Sequence, residues 1–343
     1  MKNKMKILFL LAIALLMVTA CSKSKEAEKP KPSNDEPENE SEQYVSPFTG
    51  LTIEEENTAR PVLATINNHP LARPQSGISA ADIVYEVLTE GDTTRLLALF
   101  QSELPEEIGP IRSARDTFIQ MAKGLDAFYV AHGYSPDALA LLQSNYVDYV
   151  NGMQHDGTLF KRSAERQAPH NSYISGENIQ TAAEKENASM TINKVPSLSF
   201  HESIENAKIG DEASAVIVQN GSDPNFTSNY TYDGGSGKYE QTVNNVLTVD
   251  KANDKKIELS NILVLEAEHQ TIDSEGRQAI DIESGGKGLL FHAGIVKEIE
   301  WENIDGQLTP VENGMPVELI PGKTWVHIIR TTPGIDSNVS YTP

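Results

Sequence analysis

Apolar residues enter this chain in one solid run, vanish, and return as short patterned blocks. Residues 7–20, ILFLLAIALLMVTA, are almost wholly apolar and follow three lysines within the first six residues. From Ser22 to about Glu42 the sequence SKSKEAEKPKPSNDEPENESE carries almost no apolar side chain. It has nothing with which to bury a core and is predicted to be a disordered tether. Patterned sequence begins near Tyr44. RPVLATINN predicts a buried strand around Val62 to Ile66, and DIVYEVLTEGDTTRLLALFQS predicts two strands joined at Glu90-Gly91-Asp92, an antiparallel hairpin signal.

The period then changes to that of a helix. After IGPI, Ser113 with Asp116 three residues on fits a capping box, and Phe118, Met121, Ala122 and Leu125 recur at helical spacing. A helix is predicted from about Ala114 to Gly124. DAFYVAHG reads as a short buried strand, and Ser135-Pro136 supplies an N-cap and a first-turn proline for a helix through Leu142. Another short helix is predicted after Ser175. From Ala213 onward, runs such as ASAVIVQN, NILVLEAEHQTI and MPVELIPGKTWVHII are alternating or β-rich and separated by Gly and Asn turns. The glycine-rich stretches YDGGSGKY and ESGGKGLL lack the Walker spacing and are read as hairpin turns.

These blocks give an α+β fold class, with an N-terminal mixed α/β domain over 44–190 and a C-terminal mostly-β domain over 213–343. A connector over 191–212 joins them, and a leader over 1–20 and a tether over 21–43 precede them.

The leader has the outline of a secretory signal peptide, and VTAC at its end places small residues before Cys21 in the bacterial lipoprotein cleavage pattern. Lipid attachment at Cys21 is therefore expected, with the protein on the outer face of the cytoplasmic membrane. A membrane-spanning anchor and simple secretion are the alternatives. The apolar run of about 14 residues falls short of the roughly 20 that a spanning helix needs. One acyl chain holds a protein only marginally, but the two or three of a lipoprotein anchor it stably.

Cys21 is the one cysteine of the chain, so a mature domain has no intramolecular disulfide, no thiolate metal site and no cysteine nucleophile. The formal charge is −21, and loss of Lys2, Lys4 and Lys6 with the leader would make it −24. A surface this acidic repels nucleic acid, which is not expected as a partner. Clustered arginines stand out against that background.

Arg112 and Arg115 are expected on one face of a helix's first turn, where backbone N–H groups also favour an anion. Guanidinium groups bind carboxylate or phosphate bidentately, with a geometry that lysine does not reproduce. His132 follows the FYVA strand at its carboxyl end, where open α/β sheets present ligand groups. KRSAERQAPHN adds Arg162 and Arg166 four apart, then His170 and Asn171 after a stiffening proline. The competing reading of each pair is structural, with the arginines solvated or bridged to neighbours such as Asp116 and Glu165 and the histidines hydrogen-bonded in loops.

Other chemistry has less support. The eight histidines include no His-x-x-x-His pair, so no metal is expected, and no cofactor motif is present. Ser113 and Ser135 lie in no Gly-x-Ser-x-Gly elbow. Asp82 and Glu86 are read as the surface of a helix-strand junction, and Trp301 and Trp325 as core or edge packing.

The run from RPVLATINNHPLARPQSGISAADIVYEVLTEGDTTRLLALF, followed by IGPIRSARD, HGYSPDAL and RQAPHNSY behind a lipobox, resembles the YerB family of bacterial lipoproteins. GKGLLFHAGIVKEIEW and PGKTWVHII resemble that family's second domain. The resemblance implies a two-domain extracytoplasmic lipoprotein whose domains have no assigned function. It marks Arg112, Ser113, Arg115, His132, Ser135, His170 and Asn171 as family-typical positions. Gln241 departs from the arginine that the resemblance leads one to expect there.

Three functions are compatible with this sequence. One is a binding protein that presents Arg112, Arg115, Arg162, His132 and His170 to an anionic cell-envelope ligand, with Ser113, Ser135, Arg166 and Asn171 beside them. The second is a cell-envelope hydrolase or transferase using His132 or His170 as general base. The third is a scaffold for other membrane proteins, in which the arginines are structural.

Overall fold

The computed structural model describes residues 43–196 and 198–343. The leader, Cys21 and the tether through Glu42 lie outside the described residues. In the N-terminal half the strands are β1 (Val62–Asn67), β2 (Ile83–Glu90) and β3 (Thr93–Phe100). Helix α1 (Asp116–Gly124), β4 (Phe128–Ala131), α2 (Pro136–Gln143), β5 (Tyr149–Asn151), β6 (Phe160–Arg162), β7 (Ser172–Ile174) and α3 (Gly176–Lys185) follow. The C-terminal half is built on β8 (Ala215–Gln219), β9 (Thr227–Asp233), β10 (Lys238–Val243), β11 (Asn261–Ala267) and β12 (Gly286–His292). It continues with β13 (Ile295–Ile304), β14 (Gln307–Glu312), β15 (Thr324–Arg330) and β16 (Val339–Thr342). The chain is thus α+β, mixed α/β in its first half and mostly β in its second.

One mixed sheet runs through both halves in the order β14-β13-β12-β11-β15-β2-β3-β1-β4-β5. The halves meet where β15 lies parallel to β2, with Trp325 opposite Val84 and His327 opposite Glu86. β2 and β3 form the antiparallel hairpin that Glu90-Gly91-Asp92 signals. A second antiparallel sheet, β10-β9-β8-β16, is built from the C-terminal half. YDGGSGKY turns the β9–β10 hairpin. ESGG does not turn a hairpin, because the strand before it (Gln278–Ile280) pairs with His269–Thr271 while β12 pairs with β11 and β13.

Alternation along the central strands sends neighbouring side chains to opposite faces. Val62, Ala64 and Ile66 join one buried cluster, together with Val216 and Tyr230 of the second sheet and Ile179 of α3. Leu63 joins the other, together with Phe118 and Met121 of α1 and Leu142 of α2. Both faces are therefore covered, and central strands read as continuous apolar runs for that reason. Trp301 and Trp325 are buried, their indole N–H groups donating to Glu266 O at 2.7 Å and to Glu86 Oε2 at 3.2 Å.

The surface reading of Asp82 and Glu86 is corrected here, since both are buried. β2 lies inside the sheet, so Glu86 in its middle and Asp82 just before it have no surface to occupy. Asp82 accepts from the backbone N–H groups of Gln101 and Ser102 at 2.7 and 2.9 Å. Glu86 accepts from Asn68, Thr94 and Asn220 on one oxygen. Among the described residues no helix is long and apolar enough to cross a membrane.

Candidate functional site

Arg112 and His132 are brought together by backbone pairing. Arg112 N donates to Thr65 O of β1 at 2.8 Å, and His132 N, just past β4, donates to Arg112 O at 2.9 Å. Gly133 follows with φ of 93°, a left-handed conformation that lets the chain leave β4 and turn toward α2. Ser135 caps α2 by accepting from Ala138 N, as its place before Pro136 predicts.

The capping box expected at Ser113 does not form. The N-cap of α1 is Arg115, without a side-chain cap bond, and Ser113 Oγ instead donates to His132 O at 3.2 Å. Residues 111–114 are held extended between β1 and the end of β4, so Ser113 stands too far ahead of the helix to reach its N–H groups. Arg112 and Arg115 consequently do not share a first helical turn.

Arg115 pairs with Glu90 through Nε at 2.8 Å and through Nη2. Glu90 is also held by the buried Arg95, whose Nη2 lies 3.1 Å away and whose Nη1 donates to Ser113 O at 2.6 Å. Burial, then the neighbouring Arg115, pushes the Arg95 guanidinium down to about 9. Burial alone would raise the Glu90 carboxyl, but Arg95 and Arg115 hold it below its ordinary value.

Arg112 is left over from this arrangement. Among the described residues its guanidinium makes one hydrogen bond, from Nη1 to Pro169 O at 3.3 Å, and its Nε is buried without a partner. Among the described residues it makes no ion pair, because the carboxylate near it, Glu90, is already taken.

The His132 ring is engaged at both nitrogens. Nε2 accepts from Arg162 Nη2 at 3.0 Å, which places the proton of the neutral ring on Nδ1, 2.6 Å from Ser172 Oγ. Arg162 is itself bound through Nε and Nη2 to Asp156 and through Nη1 to Asn171 Oδ1 at 3.1 Å. Desolvation, then Arg162, lowers the His132 pKa from its ordinary value. Gly152 makes room for the ring, since a Cβ there would lie 2.2 Å from Nδ1.

His170 sits beside Arg112, one residue after the carbonyl that Arg112 contacts. Its Nδ1 lies 2.8 Å from Asn67 Nδ2, and its ring stacks on His69 with centroids 4.6 Å apart. Burial, then His69, Arg112 and Arg166, lowers the His170 pKa. Arg166 is committed to structure, donating to Ala72 O, Pro74 O and Tyr173 Oη.

Arg112, His132, Arg162, His170 and Asn171 therefore gather around one face, with Arg166 at its border. Arg115 turns away to Glu90, and Ser113 and Ser135 serve the backbone. Sequence reasoning passed over Asn67 and His69; the polar cluster NNHP, breaking off an apolar strand, was the available signal. It also missed the interior network in which His327 accepts from Tyr230 Oη at Nε2 and Gln241 donates to Tyr230 Oη. The amide at Gln241, in place of the expected arginine, thus sits buried among hydroxyls.

Comparison with protein families matches residues 48–189 to the N-terminal domain, and residues 216–326 to the C-terminal domain, of a protein of unknown function, DUF3048. The chain is 44% identical over 287 residues to "Putative lipoprotein YerB" of Bacillus subtilis (strain 168), covering 83% of this chain and 86% of that protein. It is also similar to the crystal structure of YerB protein from Bacillus subtilis, with a TM-score of 0.80 at 42% identity, over 88% of this chain and 100% of that one.

Proposed function

The chain belongs to the DUF3048 family, and from that premise we propose that it is a lipid-anchored extracytoplasmic protein that binds an anionic cell-envelope ligand through the face around Arg112. The name of the B. subtilis relative, together with Cys21 behind its apolar leader, supports lipid anchoring on the outer face of the cytoplasmic membrane.

One observation carries the binding reading. In a chain of net charge −21, Arg112 is a half-buried guanidinium that among the described residues has one hydrogen bond, an orphaned Nε and no carboxylate of its own. A buried donor without a partner is costly, and an incoming anion removes that cost. The hydrolase or transferase reading draws less support, because His132 is protonated on the nitrogen facing Ser172 and blocked by Arg162 on the other. A general base needs a free lone pair.

The test is binding of poly(glycerol phosphate) to the full chain in detergent micelles, by calorimetry at low salt and at about 0.15 M. Arg112→Ala is expected to weaken binding at least about tenfold, about 1.4 kcal/mol, and to flatten its salt dependence. Equal affinity in Arg112→Ala would sink the site. Folded Arg112→Ala and His132→Ala chains that both behave as the parent would favour the scaffold reading.

A further inference from the structure

We propose that His69 and His170 form a paired donor for a phosphoryl head group, with Arg112 as the third donor. The inference rests on the anion-binding reading of the Arg112 face and specifies its ligand.

The tautomers of both rings follow from their surroundings. Asn67 Oδ1 accepts from His69 N at 3.0 Å, which fixes the amide so that Nδ2 is the donor aimed at His170 Nδ1, 2.8 Å away. His170 Nδ1 is then an acceptor, and its neutral ring carries the proton on Nε2. His69 Nδ1 accepts from Leu71 N at 3.2 Å, which leaves its proton on Nε2 as well. The two rings stack with centroids 4.6 Å apart and planes 26° from parallel. Each of the two stacked rings thus carries its proton on Nε2, one held by an asparagine and the other by a backbone amide.

A ligand is what gives this pair a use. His170 is kept as a neutral donor, since burial, then His69, Arg112 and Arg166, lowers its pKa from its ordinary value. The third donor comes from a separate segment, since Arg112 reaches the carbonyl of Pro169, the residue before His170. Three donors on three segments suit a group with at least three acceptor oxygens. A phosphoryl group has three and a charge near −2 at neutral pH, whereas a carboxylate offers two and a single charge.

The experiment uses the full chain in micelles with side-chain nitrogen resonances of histidine as the readout. At a pH above the histidine range, His69 and His170 are expected as Nε2–H tautomers without ligand. Inorganic phosphate and glycerol phosphate should perturb both resonances, and His69→Ala should weaken phosphate binding about tenfold. Acetate should bind far more weakly than phosphate. Dimethyl phosphate, a diester with two terminal oxygens and a single charge, should bind far more weakly than glycerol phosphate; equally tight binding would place the source in a diester link of a polymer or lipid and overturn the three-oxygen argument.

An Nδ1–H tautomer at either histidine overturns the inference without any binding measurement. Acetate binding as well as phosphate overturns the phosphoryl assignment. Loss of phosphate binding in Arg112→Ala but not in folded His69→Ala or His170→Ala overturns the paired donor and leaves the Arg112 face intact. Absence of any anion binding overturns the face itself, and the inference with it.

Discussion

His327 Nδ1 lies 3.6 Å from Glu86 Oε2, directly opposite it across the parallel strands β15 and β2, with both side chains closed off from solvent. The pair joins the two halves of the chain without a direct hydrogen bond. His327 Nδ1 is 3.0 Å from Asn220 Oδ1 and its Nε2 is 2.6 Å from Tyr230 Oη, so the ring is satisfied as a neutral imidazole. Glu86 in turn takes donors from Asn68, Thr94, Asn220 and Trp325.

Removing that carboxyl takes an acceptor from four buried donors: Asn68 and Asn220 keep Thr94 Oγ1 and Phe226 O, while among the described residues Thr94 Oγ1 and Trp325 Nε1 are left without one. Glu86→Ala is expected to destabilise the chain by about 3–5 kcal/mol in equilibrium urea unfolding. A loss under about 1 kcal/mol would mean that water replaces the carboxyl and that the network does not tie the halves together.

Stability should fall as the pH drops below about 6.5. Burial holds His327 down to about 3, and His269 and His292 down to about 4. Their folded pKa values lie below the unfolded one, so the unfolded chain gains protons first and the stability of the neutral rings is lost as pH falls. Each excluded proton steepens the slope by about 1.4 kcal/mol per pH unit. Burial pushes Asp82 and Glu86 up, which acts in the opposite sense. Urea midpoints measured between neutral pH and about pH 5 decide the balance, and a flat profile contradicts the histidine account.

Gly152→Ala should dislodge His132. The added Cβ would lie 2.2 Å from Nδ1 and 2.3 Å from Cγ, so the ring must leave Ser172 and Arg162. The expected cost is about 1–3 kcal/mol, with a shifted His132 side-chain resonance. Gly234→Ala, with open space around its Cβ, is the control. An unmoved His132 resonance in Gly152→Ala would show that the ring is not packed against Gly152.

Glu90→Gln takes away the carboxylate that Arg95 and Arg115 both pair with. Arg95 is 4% exposed, so its charge would be left buried without compensation. A loss of about 3–5 kcal/mol is expected, read as a drop in melting temperature and urea midpoint. Unchanged stability would show that Arg95 is neutralised some other way.

Local order was legible in the sequence because its causes are local. The β2–β3 hairpin follows from a turn signal between two apolar runs, and the α2 cap from Ser135 ahead of a proline. The Ser113 capping box failed although its spacing was right, since pairing of residues 111–114 with β1 and the end of β4 outcompetes a cap worth about 1 kcal/mol. Local propensity yields where several backbone hydrogen bonds oppose it.

By itself the sequence determined an apolar run ahead of Cys21, a polar stretch after it, an α+β order of elements and an arginine-rich segment around Arg112. Tertiary structure alone decided that β2 and β15 join the halves in one sheet, that Glu86 is interior, that Arg115 is neutralised while Arg112 is not, and that His69 meets His170. Periodicity and caps act over a few residues, so they are written in neighbouring letters. Charge compensation and burial depend on which strand lies alongside which, and that pairing is settled only when the whole chain closes its core.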